Sequence, residues 1–235
     1  MSKQIYLTCV LLFSVIITFA QENAIKAGLS GPLMGDINIG YERALSRHSS
    51  LNIKLGYFDP IMSPFITEKT LTPKAYNLLE SNGGITASVE YRFYLSKKRG
   101  IQGFYVAPYM RYLNQDMVWD DEIEGYIFTV GTKFNTLGLG GQLGYQWILN
   151  DIFTVDLFFF GAGIDYHKAL VEYVLDPQPD GFNYGMVTSH VDDVFVDFKY
   201  LYKKLTHDVN ENNHTSKLPF LFPGIRIGAS IGIAF

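Results

Sequence analysis

The stretch GIRIGASIGIAF, residues 224–235, places Ile225, Ile227, Ala229, Ile231, Ile233 and Phe235 on one parity and Arg226, Gly228, Ser230, Gly232 and Ala234 on the other. A period of two is a strand with one apolar face and one small or polar face. Which face turns inward decides the fold. The same pattern recurs in 51–58, where Leu51, Ile53, Leu55 and Tyr57 alternate with Asn52, Lys54 and Gly56. In 85–95, Ile85, Ala87, Val89, Tyr91 and Phe93 alternate with Thr86, Ser88, Glu90 and Arg92. In 136–149, Leu137, Leu139, Leu143, Tyr145 and Trp147 alternate with Gly138, Gly140, Gln142, Gly144 and Gln146.

Eight strands are predicted, at 24–31, 36–45, 51–58, 85–95, 103–113, 136–149, 153–167 and 224–235. The connections 46–50, 96–102 and 150–151 are short, and so is PLMG (32–35), whereas 59–84, 114–135 and 168–223 are long. Short turns on one rim and long loops on the other describe an up-and-down transmembrane β-barrel. A soluble eight-stranded barrel would carry its bulk inside. Here that would crowd Tyr, Phe and Trp into a narrow lumen and leave Gly and Ser outside. The expected fold class is therefore all-β, an eight-stranded antiparallel up-and-down transmembrane β-barrel with long external loops. Aromatic girdles are expected from Tyr41, Tyr91, Phe93, Tyr145, Trp147 and Phe235 at one level and Tyr57, Tyr112, Phe134 and Tyr166 at the other.

The inward parity collects Lys26, Glu42, Lys54, Glu90, Arg92, Arg111, Asp156 and Arg226. Unpaired charges in a narrow lumen are costly, so these residues are expected to pair and to pack the lumen. A hairpin symmetric about His48 sets Glu42 opposite Lys54. Pro108 falls mid-strand where no edge excuses it, and a bulge is expected there. The strand at 153–167 has large apolar residues on both parities, so its facing beyond Asp156 stays open.

At 235 residues a single domain is the natural size, here 21–235 after a leader. The start MSKQIYLTCVLLFSVIITFAQ has Lys3, an apolar run, and Thr18 and Ala20 before Gln21, the pattern of a signal peptide cut after residue 20. Cys9 is the only cysteine and lies within that leader, which excludes disulfides and thiolate chemistry from the mature chain. Losing Lys3 moves the formal charge from −4 to −5, with no basic patch for nucleic acid.

Chemistry-bearing candidates are sparse. His167, His190, Ser189, Asp192 and Asp193 are the types an acyl hydrolase uses. The acidic run WDDEIEG (119–125) reads as a solvated loop and lacks the spacing of a calcium loop. LTPKAYNLLESNGG (71–84) has helix-start residues Thr72 and Pro73. In VDDVFVDFKYLYKKL (191–205), Val194, Phe195, Phe198, Leu201, Tyr202 and Leu205 share one helical face, or the segment extends the sheet.

The segments NAIKAGLSG (23–31), INIGYERAL (37–45) and GFYVAPYMRY (103–112), with the FAQ cut, resemble small outer-membrane β-barrel proteins of Bacteroidota, a largely uncharacterised group. The C-terminus is similar to the signal read by bacterial barrel-assembly machinery, with Ile227, Ile231, Ile233 and Phe235 as its matching residues. The expected protein is monomeric, sits in the outer membrane of a Gram-negative bacterium and has both termini periplasmic. Its partners are outer-membrane lipid, lipopolysaccharide, the assembly machinery and an extracellular ligand reached through residues 168–223. No cofactor and no catalytic residue is assigned. A lipid-modifying enzyme and a narrow channel are the alternatives.

Overall fold

The computed structural model describes residues 22–59, 62–63, 82–96, 100–179 and 182–235. The leader lies outside these residues, as does the helix expected at 71–84 apart from 82–84, which open a strand. The strands are β1 (Asn23–Gly28), β2 (Asp36–Ser46), β3 (Ser49–Phe58), β4 (Asn82–Tyr94), β5 (Gly103–Ile123), β6 (Tyr126–Leu149), β7 (Phe153–Val174), β8 (Thr206–Val209) and β9 (His214–Ala234). Two helices, α1 (Gly185–Phe195) and α2 (Lys199–Tyr202), lie between β7 and β8. All nine strands form one antiparallel sheet in the order β1 to β7, β9, β8, and β1 also pairs with β9. The sheet therefore closes into a ring of eight strands, with the short β8 attached to the outer edge of β9.

Four strands, β5, β6, β7 and β9, run seven or more residues beyond the bounds the alternation suggested. The loop expected at 114–135 is instead a continuous hairpin that turns at Glu124 and Gly125, both at positive φ. WDDEIEG is correspondingly strand and turn, with Ile123 buried and Asp120 and Glu122 exposed. β9 begins at His214, and β7 runs on to Val174, so much of 168–223 is also sheet. These additions make an extension of β5, β6, β7, β9 and β8 beyond the ring, at the end away from the chain termini. The face expected across 191–205 is split between α1 and α2: Phe195 and Leu205 pack inward, whereas Phe198 and Tyr202 are exposed.

Register explains three other departures. The β2–β3 ladder has Gly40 opposite Lys54 and Asn52 opposite Glu42, because the turn centres before His48, with a shift between Ala44 and Ser46. Pro108 causes no bulge. The β4–β5 register is the same at Glu90↔Tyr109 and Phe93↔Val106, and the ladder is merely interrupted between them. The bulge lies in β7 instead, at Phe159–Phe160, where the pairings with β6 and β9 both shift. An extra residue reverses side-chain parity. Asp156 and Phe158 point inward before it, Gly161 and Asp165 after it, while Phe159 and Phe160 both stay exposed. That accounts for large apolar residues on both parities.

The outer face of the ring is a continuous apolar belt: Leu55 is 58 % exposed, Leu139 58 % and Ile225 77 %. Tyr91 and Phe93 (centroids 4.8 Å apart) and Tyr145 and Trp147 (4.4 Å) lie on it as tilted pairs near the terminus-bearing end. Tyr57, Tyr112 and Tyr166 are exposed toward the other end, but Phe134, expected among them, turns inward and stacks on His167.

Candidate functional site

The interior is built from the residues left over by that belt. Inward glycines of β6 make room for long side chains from β5: a Cβ at Gly144 would collide with the Tyr105 ring, one at Gly140 with Tyr109, and one at Gly138 with Arg111 and Asp165. At the terminus-bearing end Tyr94, Ile101, Tyr105 and Phe158 form a small buried cluster that closes the lumen.

Above that floor sits a charge network that is fully buried apart from Lys54 and Arg226 at its upper edge. Arg92 reaches Glu90 (2.6 Å), Asp156 (2.8 Å) and Glu42 (3.3 Å) and stacks over Tyr105 at 4.4 Å. Lys26 pairs with Glu42 and with Asp156 (3.1 Å) and donates to Gln146 Oε1 (2.6 Å). Lys54 pairs with Glu90 (3.0 Å), and Arg226 approaches the same carboxylate at 3.7 Å. Neutral donors complete the shells: the Tyr94 hydroxyl on Glu42 (2.6 Å), Tyr105 on Asp156 (2.8 Å) and Asn52 on Glu90 (2.8 Å). Seven of the eight charges singled out in the sequence thus share one cluster. The eighth, Arg111, stands apart and pairs with Asp165 through Nε (3.1 Å). Of the C-terminal residues, Ile227, Ile231 and Ile233 are exposed on the belt, and the Phe235 backbone exchanges hydrogen bonds with Asn23.

Toward the extension the lumen opens into a cavity of about 530 Å³. Lys54, Arg226 and Ser230 form its polar floor, and Phe58, Leu113, Phe134 and Phe158 line its walls. Arg226 lies over Tyr109 (4.5 Å) and its Nη1 is buried without a partner.

A second core fills the extension. Ile123, Phe128, Val130, Tyr173, Leu175, Tyr184, Val187 and Val191 pack α1 against the inner face of the sheet. Beside it is a hydrogen-bonded chain of which the sequence singled out only Asp192. Asp192 Oδ1 lies 3.1 Å from His207 Nε2, and His207 Nδ1 lies 3.0 Å from Ser216 Oγ. Ser216 borders an apolar cavity of about 190 Å³. His214, buried 5.1 Å from His207 between ring centroids, has neither nitrogen partnered. Burial first and the neighbouring His207 second push its imidazole down to about 4. No spacing signalled this group, because β8–β9 pairing brings it together across a helical insertion. The residues suggested from sequence are scattered: His167 bonds Thr136 (2.8 Å), His190 lies 3.5 Å from Asp121, Ser189 Oγ donates to Gly185 O (3.5 Å), and Asp193 is exposed. Among the described residues no cluster of three or more His, Cys, Asp or Glu has the arrangement of a metal site.

The family model described as Protein of unknown function (DUF3575) matches residues 5–174. The chain belongs to that family. The matched region contains β1 to β7, and with them the network except for Arg226, but stops before α1 and β9. No curated protein and no solved structure matches the chain.

Proposed function

We propose that this chain is a cleaved, monomeric outer-membrane β-barrel whose lumen is sealed by ion pairs and whose extension serves a binding role at the cell surface. Residues 1–20 are its secretory leader, both termini face the periplasm, and the host is a Gram-negative bacterium of the Bacteroidota type. Its biogenesis runs through the barrel-assembly machinery, with Ile227, Ile231, Ile233 and Phe235 as the signal.

One observation carries the reading: polarity inverts along β5, β6 and β7. Around the ring the outside is apolar and the inside ionic. In the extension the outer parity holds Asp116, Asp120, Glu122, Lys133 and Lys168, interleaved with Val118 and Ile127, while the inner parity holds Phe128, Val130 and Tyr173. An apolar belt flanked by aromatics suits acyl chains, and a polar-coated unit with its own apolar core suits water. The sealed floor argues against the channel alternative. The test is the solvent requirement of the mature polypeptide. Folding into vesicles with a shifted electrophoretic mobility before heating supports the reading; a folded monomer in plain buffer overturns it. Discrete conductance steps in a planar bilayer would overturn the sealed lumen alone.

A second reading, an acyl hydrolase, is favoured by Ser216–His207–Asp192. With Nε2–H donating to Asp192, the bare Nδ1 accepts the Ser216 proton, the nucleophile–base–orienter order of a serine hydrolase. Against it, the Ser216 backbone is held in ladders on both sides, by Val171 and His207, which leaves no free N–H pair beside it for an oxyanion. Labelling of Ser216 by a fluorophosphonate, lost in His207→Ala, would promote this reading over the first.

A further inference from the structure

The buried network does not balance. Its cations are Lys26, Lys54, Arg92 and Arg226; its carboxylates are Glu42, Glu90 and Asp156. One positive charge is in excess, and it falls at the cavity floor, where Lys54 and Arg226 share Glu90 and Arg226 Nη1 has no partner. Over the whole cavity wall Asp36 brings the count level, but the excess stays local to the floor because no ion pair joins Asp36 to either floor cation. Arg111 is neutralised by Asp165, and Asp36 accepts from Asn38 (2.9 Å) and Thr86 (3.0 Å) without an ion pair to either floor cation. A buried cation without a counter-charge is costly, so the floor is complementary to an anion.

The remaining surface says what the anion is attached to. Phe58, Leu113, Phe134 and Phe158 offer an apolar wall, and 530 Å³ lies within the roughly 300–1,000 Å³ of small-molecule sites. Among the described residues the cavity also has a side opening in the sheet. β1 ends at Gly28, its last contacts being Leu29 and Ser30 on Ala229, while β9 extends back to His214 and meets β8 only at 214–217. Between 218 and 228 the β1-facing edge of β9 has no strand partner among the described residues, and Pro219 and Pro223, which lack an N–H, occupy it. The same cavity is lined across this gap by Ser30 and Leu33 on one side and Ile225 and Ile227 on the other.

We propose that the cavity binds a single-chain amphiphile with a monoanionic head, the head on Arg226 and Lys54 and the chain directed through the gap between β1 and β9. The part of the proposal about the gap rests on the membrane reading, because the gap then faces acyl chains; the anion site does not.

The test uses the mature chain held in amphipol, with its folded state confirmed by heat-shifted mobility in the same sample. Decanoate, decanol and decyltrimethylammonium are titrated by calorimetry. Saturable decanoate binding is expected, with the alcohol and the cation failing to saturate. Arg226→Gln leaves three cations facing three carboxylates, so it should stay folded and weaken decanoate about tenfold or more, whereas Arg226→Lys keeps most of the binding. Ser88→Phe, which fills the cavity from β4, abolishes it. Hexanoate should bind more weakly than decanoate. Equal binding by wild type and Arg226→Gln, equal binding of decanol, or no saturable decanoate binding by a folded chain overturns the proposal. A chain that needs amphipol to stay folded yet ignores decanoate sinks the site and leaves the membrane reading standing.

Discussion

The inner face of β6 passes through two interiors that solve opposite problems. From Phe128 and Val130 it faces α1 and an apolar cluster; from Gly138 through Gln142 to Gln146 it faces glycine-lined space and ion pairs. In the extension, burial of apolar side chains supplies the driving force, and the outer parity is free to be polar. In the ring the exterior is already apolar, so the interior must be closed by groups that satisfy one another, and geometry replaces hydrophobicity as the source of order. The switch occurs within a few residues of Thr132 and Thr136, with no break in the ladder. One strand can therefore serve two solvents if its two faces exchange roles.

The sharpest way to break this comparison is Arg92→Met, which leaves Glu42, Glu90 and Asp156 facing only Lys26, Lys54 and Arg226 and removes three ion-pair contacts. A loss of about 3–5 kcal/mol is expected from stranding buried partners, read as a fall in the urea midpoint of the vesicle-folded chain; an unchanged midpoint would show that the network is ornamental. In the extension, Phe128→Ala removes a fully buried ring from the α1 core. It should cost about 3 kcal/mol there, accelerating hydrogen exchange in α1 while the mobility of the folded ring is unchanged. Coupled loss of both regions would mean they are one cooperative unit.

Acid separates the regions further. The His214 imidazole is held down to about 4, below its ordinary 6.5, so the folded extension favours the neutral form. The unfolded state then binds the proton first, and the extension's stability is full above pH 6.5 and is lost as pH falls toward 4. The loss should reach up to about 3 kcal/mol, since each tenfold difference in proton affinity between the folded and unfolded states is worth about 1.4 kcal/mol. His214→Phe should flatten this dependence in exchange measurements on α1. The smallest effect belongs to Asp208→Asn, which removes an exposed pair with Lys217 at 4.0 Å. Less than about 0.5 kcal/mol is expected, and a larger value would mean that β8 clamps the extension.

How much of this was legible depends on whether a signal was local. Alternation in 51–58, 85–95 and 224–235 marked the strands and the two faces because period two needs no knowledge of neighbours. It failed where a bulge at Phe159–Phe160 reversed the parity and where polar residues such as Asp116 to Asp121 disguised a hairpin as a loop. The lumen charges stood out by type and parity, but their partners did not: Glu42 finds Lys26 and Arg92 rather than Lys54, because a shift in the β2–β3 turn moves the register and because pairs across a lumen join strands distant in sequence. Ser216, His207 and Asp192 could not be assembled from sequence at all, since they depend on β8 docking beside β9.

The central claim is that the belt formed by Leu55, Leu139 and Ile225 meets acyl chains while Thr154 and Gln142 are sealed from both lipid and water. Spin labels placed singly at these five positions in a Cys9-free chain, folded into vesicles, test it through collision rates with oxygen and with a water-soluble nickel chelate. The account predicts high oxygen and low nickel collision at the three belt positions and low values for both probes at Thr154 and Gln142. Nickel collision at Leu55, Leu139 and Ile225 as frequent as at Asp120 in the extension would contradict it.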